Sequence, residues 1–283
     1  MKKRLKKVFS INLEPGFRNY TVKDLLDIKG KKKLTQILVS SPEEAAAAEE
    51  ADIDLLLTKP SEDVRKIREA ASKTFMTVAI PFIKYSSKKD IVKKALELVE
   101  IGADSIHCGS WNINFMKYLN EFKIPFQGHA GLVPRRSTWI GGVRAFGKTS
   151  KEAIQLYNDI KDIENSGAWG VEIECVPEDI VNEISKLTKM ITISIGSGKK
   201  SDAQFLFAED ILGCSSIDTP RHAKMYRNFN KVYNNIQIER INAFKEFHKD
   251  VTRDKFPAKR HSISVDKNQL NLFKKFLLKE VNN

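Results

Sequence analysis

The sequence predicts an α/β fold, a (β/α)8 TIM barrel with additional C-terminal helices, and three observations lead there. Short apolar runs alternate with helical patterns along most of the chain, the signature of βα units and a parallel sheet. Eight such runs fit within roughly 200 residues, the number that closes a barrel. A chain of 283 residues with 41% hydrophobic content also suits one barrel-sized domain with a large core better than two small ones. The whole of 1–283 is therefore read as one domain, with the barrel at about 20–220 and a helical extension at about 221–283. An open doubly wound sheet is the competing architecture. No GxGxxG follows an early strand, however, and the Gly196 turn comes too late for a dinucleotide fingerprint.

In order, the predicted strands are Leu34–Val39, Ile53–Leu57, Phe75–Ile80, Ser105–Cys108, Ile124–Gln127, Val171–Cys175, Ile191–Ile195 and Ile211–Ser215. Between them the apolar spacing turns helical: Ile91, Val92, Ala95, Leu96 and Val99 mark one face, and Ile154, Tyr157, Ile160 and Ile163 another. Gly102-Ala103 and Gly167-Ala168 end two helices, where glycine supplies the left-handed cap. After Pro220 the chain reads as helices, with Phe244, Phe247 and an amphipathic segment, Leu270 to Leu278, suited to packing on the barrel or on another subunit.

Composition excludes several classes. No run of about 18 apolar residues exists and the basic start, Lys2 to Lys7, lacks a signal peptide's apolar core, so no membrane partner is expected and the location is read as cytoplasmic. Cys108, Cys175 and Cys214 are far apart and make no CxxC pair, which argues against both a disulfide framework and a zinc site. The net charge of +12 rests mainly on lysines spread along helices, without the arginine and aromatic interleaving that reads bases. A solvated lysine-rich surface is the reading, and nucleic acid is not expected as a partner. Lys2 to Lys7 and Lys29 to Lys33 remain the stretches suited to polyanion contact.

In a parallel barrel, catalytic groups sit at the carboxyl ends of the strands. Those tips offer Ser40 and Ser41, Thr58 and Lys59, Ile80 and Pro81, His107 and Cys108, Gly128 and His129, Glu174, Gly196-Ser197-Gly198, and Cys214. The run Gly170-Val-Glu-Ile-Glu-Cys-Val-Pro-Glu178 is the most informative. Alternation puts Val171, Ile173 and Cys175 on one face and Glu172 and Glu174 on the other. Either that face is the barrel interior, where a carboxylate needs a partner or contact with solvent at the mouth, or this is an edge strand with both carboxylates in water. His129 lies in a glycine-rich turn, either beside a ligand or in a solvent loop. Ser197 and Gly198 present backbone N–H groups able to cradle a carboxylate or phosphate. Arg144 follows Gly141-Gly142 on a loop, and no GxSxG hydrolase elbow is present.

The run Gly128-His-Ala-Gly-Leu-Val-Pro134, then Gly141-Gly142, Glu174-Cys-Val-Pro-Glu178, Ile195-Gly-Ser-Gly198 and Asp202-Ala-Gln204 resembles the ketopantoate hydroxymethyltransferase family in order and spacing. The likeness extends to Val22-Lys-Asp-Leu-Leu26, Phe256-Pro257 and His261-Ser262. It implies a (β/α)8 barrel of the phosphoenolpyruvate mutase and isocitrate lyase superfamily, assembled as a homo-oligomer. It also implies a step of pantothenate biosynthesis: transfer of a hydroxymethyl group from methylenetetrahydrofolate to a 2-oxo acid, 2-oxoisovalerate, with magnesium. Carried over, the general base falls on Glu174 and the active-site histidine on His129. Ser40, Ser41, Lys59, His107, Glu172, Ser197 and Gly198 are the expected substrate-binding set.

The chain departs from the family where the family holds its metal. Aspartates are expected after the second and third strands and a glutamate after the fourth. Here those places read Leu57-Thr-Lys-Pro-Ser61, Val78-Ala-Ile-Pro-Phe82 and Ile106-His-Cys-Gly-Ser110, with His107 at a substrate lysine's place. Magnesium wants hard oxygen ligands, so no metal ligand is assigned and magnesium is not expected. Glu172 replaces an apolar residue one layer below Glu174, and pairing with His107 or Lys59, with His107 preferred, is predicted; the alternative is a rotated strand or a protonated Glu172 hydrogen-bonded to a neighbour. The function expected is 2-oxo acid chemistry through an enolate. The alternative is a non-catalytic or ligand-binding homologue that has lost the metal site.

Overall fold

The computed structural model describes residues 5–61, 63–80, 85, 87–108, 112–215 and 219–281. The tip residues Pro81, Phe82, Gly109 and Ser110 and the basic Lys2 to Arg4 lie outside them. The chain divides into two compact units, Met1–Arg227 and Asn228–Asn283.

The first unit begins with an antiparallel hairpin, β1 (Lys6–Phe9) and β2 (Pro15–Arg18), which the sequence reading does not contain. A short α1 (Val22–Asp27) follows, capped by Thr21 and Asp24 in a reciprocal capping box. Eight parallel strands then close a barrel in the order β10-β3-β4-β5-β6-β7-β8-β9. These are β3 (Leu34–Val39), β4 (Leu55–Thr58), β5 (Phe75–Ala79), β6 (Ser105–His107), β7 (Phe126–Gly131), β8 (Gly170–Glu174), β9 (Ile191–Ile195) and β10 (Ala203–Phe207). Around them lie α2 (Pro42–Glu50), α3 (Val64–Ala70), α4 (Lys88–Ile101), α5 (Ile113–Glu121), α6 (Ser137–Ile140), α7 (Ser150–Asn165), α8 (Glu178–Leu187) and α9 (Ala208–Leu212). The second unit holds α10 (Phe229–Thr252) and α11 (Lys267–Val281).

The TIM barrel is thus present, with one strand misplaced in the sequence reading. The eighth strand is Ala203–Phe207, and most of the predicted Ile211–Ser215 stretch is the end of α9 and the turn after it. Ala203, Phe205 and Phe207 alternate with Gln204 and Leu206, a half-buried strand pattern. The apolar pair Ile211-Leu212 sits instead in a single helical turn that Gly213 ends in the left-handed region.

Two hydrophobic clusters follow from the alternation of side chains. One lies between strands and helices and contains Val39, Leu56, Val78, Ile106, Val171 and Ile173 with helix residues such as Ile67, Ile91, Leu98 and Ile160. The other fills the barrel with Leu38, Leu55, Leu57, Phe75, Trp169, Ile193 and Phe205. Helix faces follow the predicted spacing except in α7, where Leu156, Ile160 and Ile163 are buried and Ile154 is exposed. Gly102 and Gly167 do take left-handed backbone, at φ +111° and +99°.

The hairpin is tied to the amino end of the barrel by charge. The guanidinium of Arg18 donates to Asp104 at 2.7 Å, and the buried Arg68 donates to the same carboxylate at 3.0 Å. Burial lowers the Arg68 pKa to about 10, Asp104 works against that shift, and Arg68 also donates to the carbonyls of Thr74 and Ala71. This network fixes the closed end of the barrel and leaves the carboxyl end for ligands.

Candidate active site

Register places the two carboxylates of β8. Glu172 is paired across the ladder with His129 on one side and Ile193 on the other, and Ile193 belongs to the interior cluster. Directly opposed residues point to the same face, so Glu172 and Glu174 both enter the barrel, with Glu172 the deeper. The edge-strand alternative is excluded, since β8 lies between β7 and β9.

At 5% exposure Glu172 could not remain there as an unpaired anion. One of its oxygens lies 3.1 Å from His107 Nε2, the pair predicted from sequence, and the other lies 3.7 Å from His129 Nε2. The same His129 nitrogen is 3.0 Å from Glu174. Burial works against the ionised form of Glu172, but His129 and His107 outweigh it and hold the carboxyl below its usual range. Burial likewise opposes charge on His129, and Glu172 and Glu174 together raise that imidazole above its ordinary value. The four side chains form one alternating acid and imidazole chain across β6, β7 and β8.

The end of β8 is held rigidly. Cys175 adopts φ +50°, a left-handed conformation uncommon for a residue with a side chain, and its N–H donates to Ile195 at 2.9 Å. The Ser197 hydroxyl donates to the Ile173 carbonyl at 2.8 Å and accepts from the Val176 N–H at 2.9 Å. Ser197 is therefore engaged in fixing the strand tip, while Gly198 reaches a cavity. Burial and the nearby Glu174 push the Cys175 thiol up, so it is not poised as a thiolate.

Two cavities meet at Glu174. The mouth cavity, about 400 Å³, is lined by Lys59, Ala79, His107, His129, Glu172 and Glu174, together with Arg135, Phe205 and Phe207. The second, about 630 Å³, is lined by Glu174, Gly198, Arg144, Lys148 and Arg221. Ser40 and Ser41 line neither. The Ser41 hydroxyl caps α2 by accepting from the Glu44 N–H, and the Ser40 N–H donates to the Glu44 carboxylate.

His129 lies within β7 rather than in a turn, and Gly128 faces outward. A Cβ there would lie 2.5 Å from Ile163 of α7, so this glycine serves helix packing and not ligand approach. Sequence reasoning missed Arg135, Phe205, Phe207, Lys148 and Arg221. The alternating Phe205 and Phe207 could have been found by recognising β10, whereas nothing local marks Arg135 or Lys148.

The residues present do not suit magnesium. Thr58, Lys59 and Ala79 at the described tips of β4 and β5 supply no carboxylate, and the cluster at β6 to β8 offers two imidazoles among its donors, where magnesium prefers oxygen in octahedral array.

A family profile described as ketopantoate hydroxymethyltransferase matches residues 61–259. The 3-methyl-2-oxobutanoate hydroxymethyltransferase of Kosmotoga olearia is 30% identical over 260 residues, covering 84% of this chain and 95% of the relative. That of Pyrococcus furiosus is 29% identical over 288 residues, covering 93% and 99%. Among solved structures, a candidate phosphonomutase from Burkholderia cenocepacia J2315 aligns with TM-score 0.54 at 8% identity, covering 67% of this chain and 93% of that one. A candidate lyase/mutase from the same organism gives TM-score 0.51 at 7% identity, with 89% and 94% covered. At such identities these two structures speak to the barrel fold alone. With the profile spanning more than half of its length and relatives matched nearly end to end, the chain belongs to the ketopantoate hydroxymethyltransferase family.

Proposed function

We propose that the chain is a hydroxymethyltransferase acting on a 2-oxo acid, with Glu174 as the base that takes the proton from the carbon beside the carbonyl. The observation that carries this is the place of Glu174. It stands at the carboxyl tip of β8, in the wall shared by both cavities, 3.0 Å from His129. A carboxylate there can reach a substrate in the mouth cavity while the donor of the one-carbon unit occupies the other. His107 and His129 lie beside the position where enolate charge would develop, and Lys59 and Arg135 suit the acid's carboxylate.

Methylenetetrahydrofolate, the family's donor, would face Lys148, Arg221 and the Glu152-paired Arg144 in the second cavity, cations suited to its carboxylates that share the lining with Glu174 and Glu178. Ser40 and Ser41 have no part in this reading, and Ser197 acts through the position of Glu174. Family membership together with this site supports an enzyme over the non-catalytic alternative. Among the described residues no helix is long and apolar enough to cross a membrane, and a cytoplasmic location belongs to the same proposal. So does a homo-oligomer, for which α10 and α11 carry exposed Phe244, Phe247, Leu272, Phe273 and Phe276; sedimentation velocity should show a species larger than 32.2 kDa.

The test is proton exchange. Protein incubated with 3-methyl-2-oxobutanoate in deuterium oxide should lose the substrate's C3 proton signal in the NMR spectrum, and Glu174→Gln should slow exchange by about 10²-fold or more. Equal rates in both proteins would remove Glu174 from the role.

A further inference from the structure

We propose that His107, His129 and Glu172 form a binding site for one divalent metal ion of the zinc class, with an open coordination position toward the mouth cavity. One ligand atom from each lies within 4.8 Å of the others. Metal bonds of ~2.1 Å in tetrahedral array hold donor atoms roughly 3.4 Å apart. One Glu172 oxygen lies 3.1 Å from His107 Nε2 and the other 3.7 Å from His129 Nε2, so each carboxylate oxygen is close to that spacing from one imidazole. Small side-chain adjustments on three adjacent, paired strands would admit the ion without moving backbone.

The donor set selects the metal. Two imidazole nitrogens and one carboxylate suit zinc or cobalt, and three protein ligands with a vacant position are the pattern of catalytic rather than structural zinc. Its position also differs from the one the family likeness implies for magnesium, at the ends of β4, β5 and the loop after β6.

A further observation points to a ligand here. Gln127 lies on the same inward row as His129 and is register-paired with His107, yet both polar atoms of its side chain are buried without a hydrogen-bond partner. An orphaned buried amide is costly, and a metal-bound water is a partner of the kind it lacks. If the proposed function holds, the ion would meet an oxygen of the 2-oxo acid next to Glu174.

The experiment is cobalt binding to the full chain, freed of any affinity tag and stripped with chelator. Titration should saturate at one Co²⁺ per chain with the visible bands of a four- or five-coordinate ion and no thiolate charge-transfer band. Zn²⁺ should displace it, and a millimolar excess of Mg²⁺ should not. His107→Asn and Glu172→Gln should each weaken binding by more than about 100-fold, while His248→Ala should leave it unchanged. X-ray absorption of the wild-type complex, showing two imidazole ligands, decides the matter even where a variant fails to fold. Absence of Co²⁺ binding, binding unchanged in the folded variants, equal competition by Mg²⁺ or a cysteine-ligated spectrum would each overturn the proposal. The proton-exchange assay separates the two readings. Exchange by a protein that binds no Co²⁺ would sink the metal site alone, and Co²⁺ binding at these residues with no exchange in stripped or loaded protein would sink the catalytic reading alone.

Discussion

Glu172 shows how one residue can reorganise a site. A carboxylate inside a barrel costs several kcal/mol in desolvation, and His107 and His129 offset that cost by contacts at 3.1 and 3.7 Å. With chelator present, His107→Leu should destabilise the protein by about 3 kcal/mol, because Glu172 is left with one more distant imidazole. Adding Glu172→Leu should recover much of that loss, giving a coupling of at least about 1 kcal/mol in a double-mutant cycle followed by urea denaturation. Strictly additive losses would show that the pair contributes nothing. This interaction is legible in sequence, because a charged residue on an inward row must find a partner and His107 is, with Lys59, a group able to carry positive charge at a tip where the chain departs from the family. The orphaned Gln127 amide is not, since an amide in a strand gives no sign of whether its partner is protein, water or ion.

Among the elements, seven of the eight barrel strands can be placed from apolar runs, and Leu34–Val39 and Ile191–Ile195 agree end to end. The exceptions have physical causes. β10 opens with Ala203 and Gln204, too short and polar a start to stand out beside the more apolar Ile211-Leu212. The β1–β2 hairpin is tied to the barrel through Arg18 and Asp104, 86 positions apart, which no local pattern records. The β7–α7 contact is another long-range feature that looks local. Gly128 reads as a ligand-approach glycine, yet it lets α7 sit close to the strand that carries His129. Gly128→Ala would bring a methyl group to 2.5 Å from Ile163 Cγ2 and 3.0 Å from Met116 Cε. The expected cost is about 1 to 3 kcal/mol from overpacking, measured as a lower denaturation midpoint. Adding Ile163→Ala should recover part of it, and a Gly128→Ala protein as stable as the parent would show that α7 has slack.

At the scale of the whole molecule the barrel depends on its seam, where the last strand meets the first. Asp202, immediately before β10, holds that seam. Its carboxylate accepts from Lys29 at 2.6 Å, from the Gly30 N–H at 3.0 Å, and from the N–H and hydroxyl of Thr192 on β9, both at 2.9 Å. Its carbonyl accepts from the N–H of Leu34 on β3 at 2.9 Å. Burial alone would raise the Asp202 pKa, but Lys29 and the Thr192 contacts outweigh burial and hold it below the ordinary value of 3.8. A carboxyl with its folded-state pKa below its unfolded one stabilises the protein fully at pH above the unfolded value, and that stabilisation fades as pH falls through the folded value. Asp202→Asn should therefore destabilise the protein by about 2 to 3 kcal/mol at pH 7, since the uncharged amide cannot satisfy Lys29 and both Thr192 donors together. The difference should persist down to about pH 4 and shrink below it, as the wild-type carboxyl takes up its proton. Thermal unfolding of both proteins by circular dichroism from pH 7 to pH 3 measures this directly. A gap that stayed constant through the acid range would mean that the charge of Asp202 does not hold the seam, and that barrel closure rests on the packing of Leu34, Ile193 and Ala203 instead.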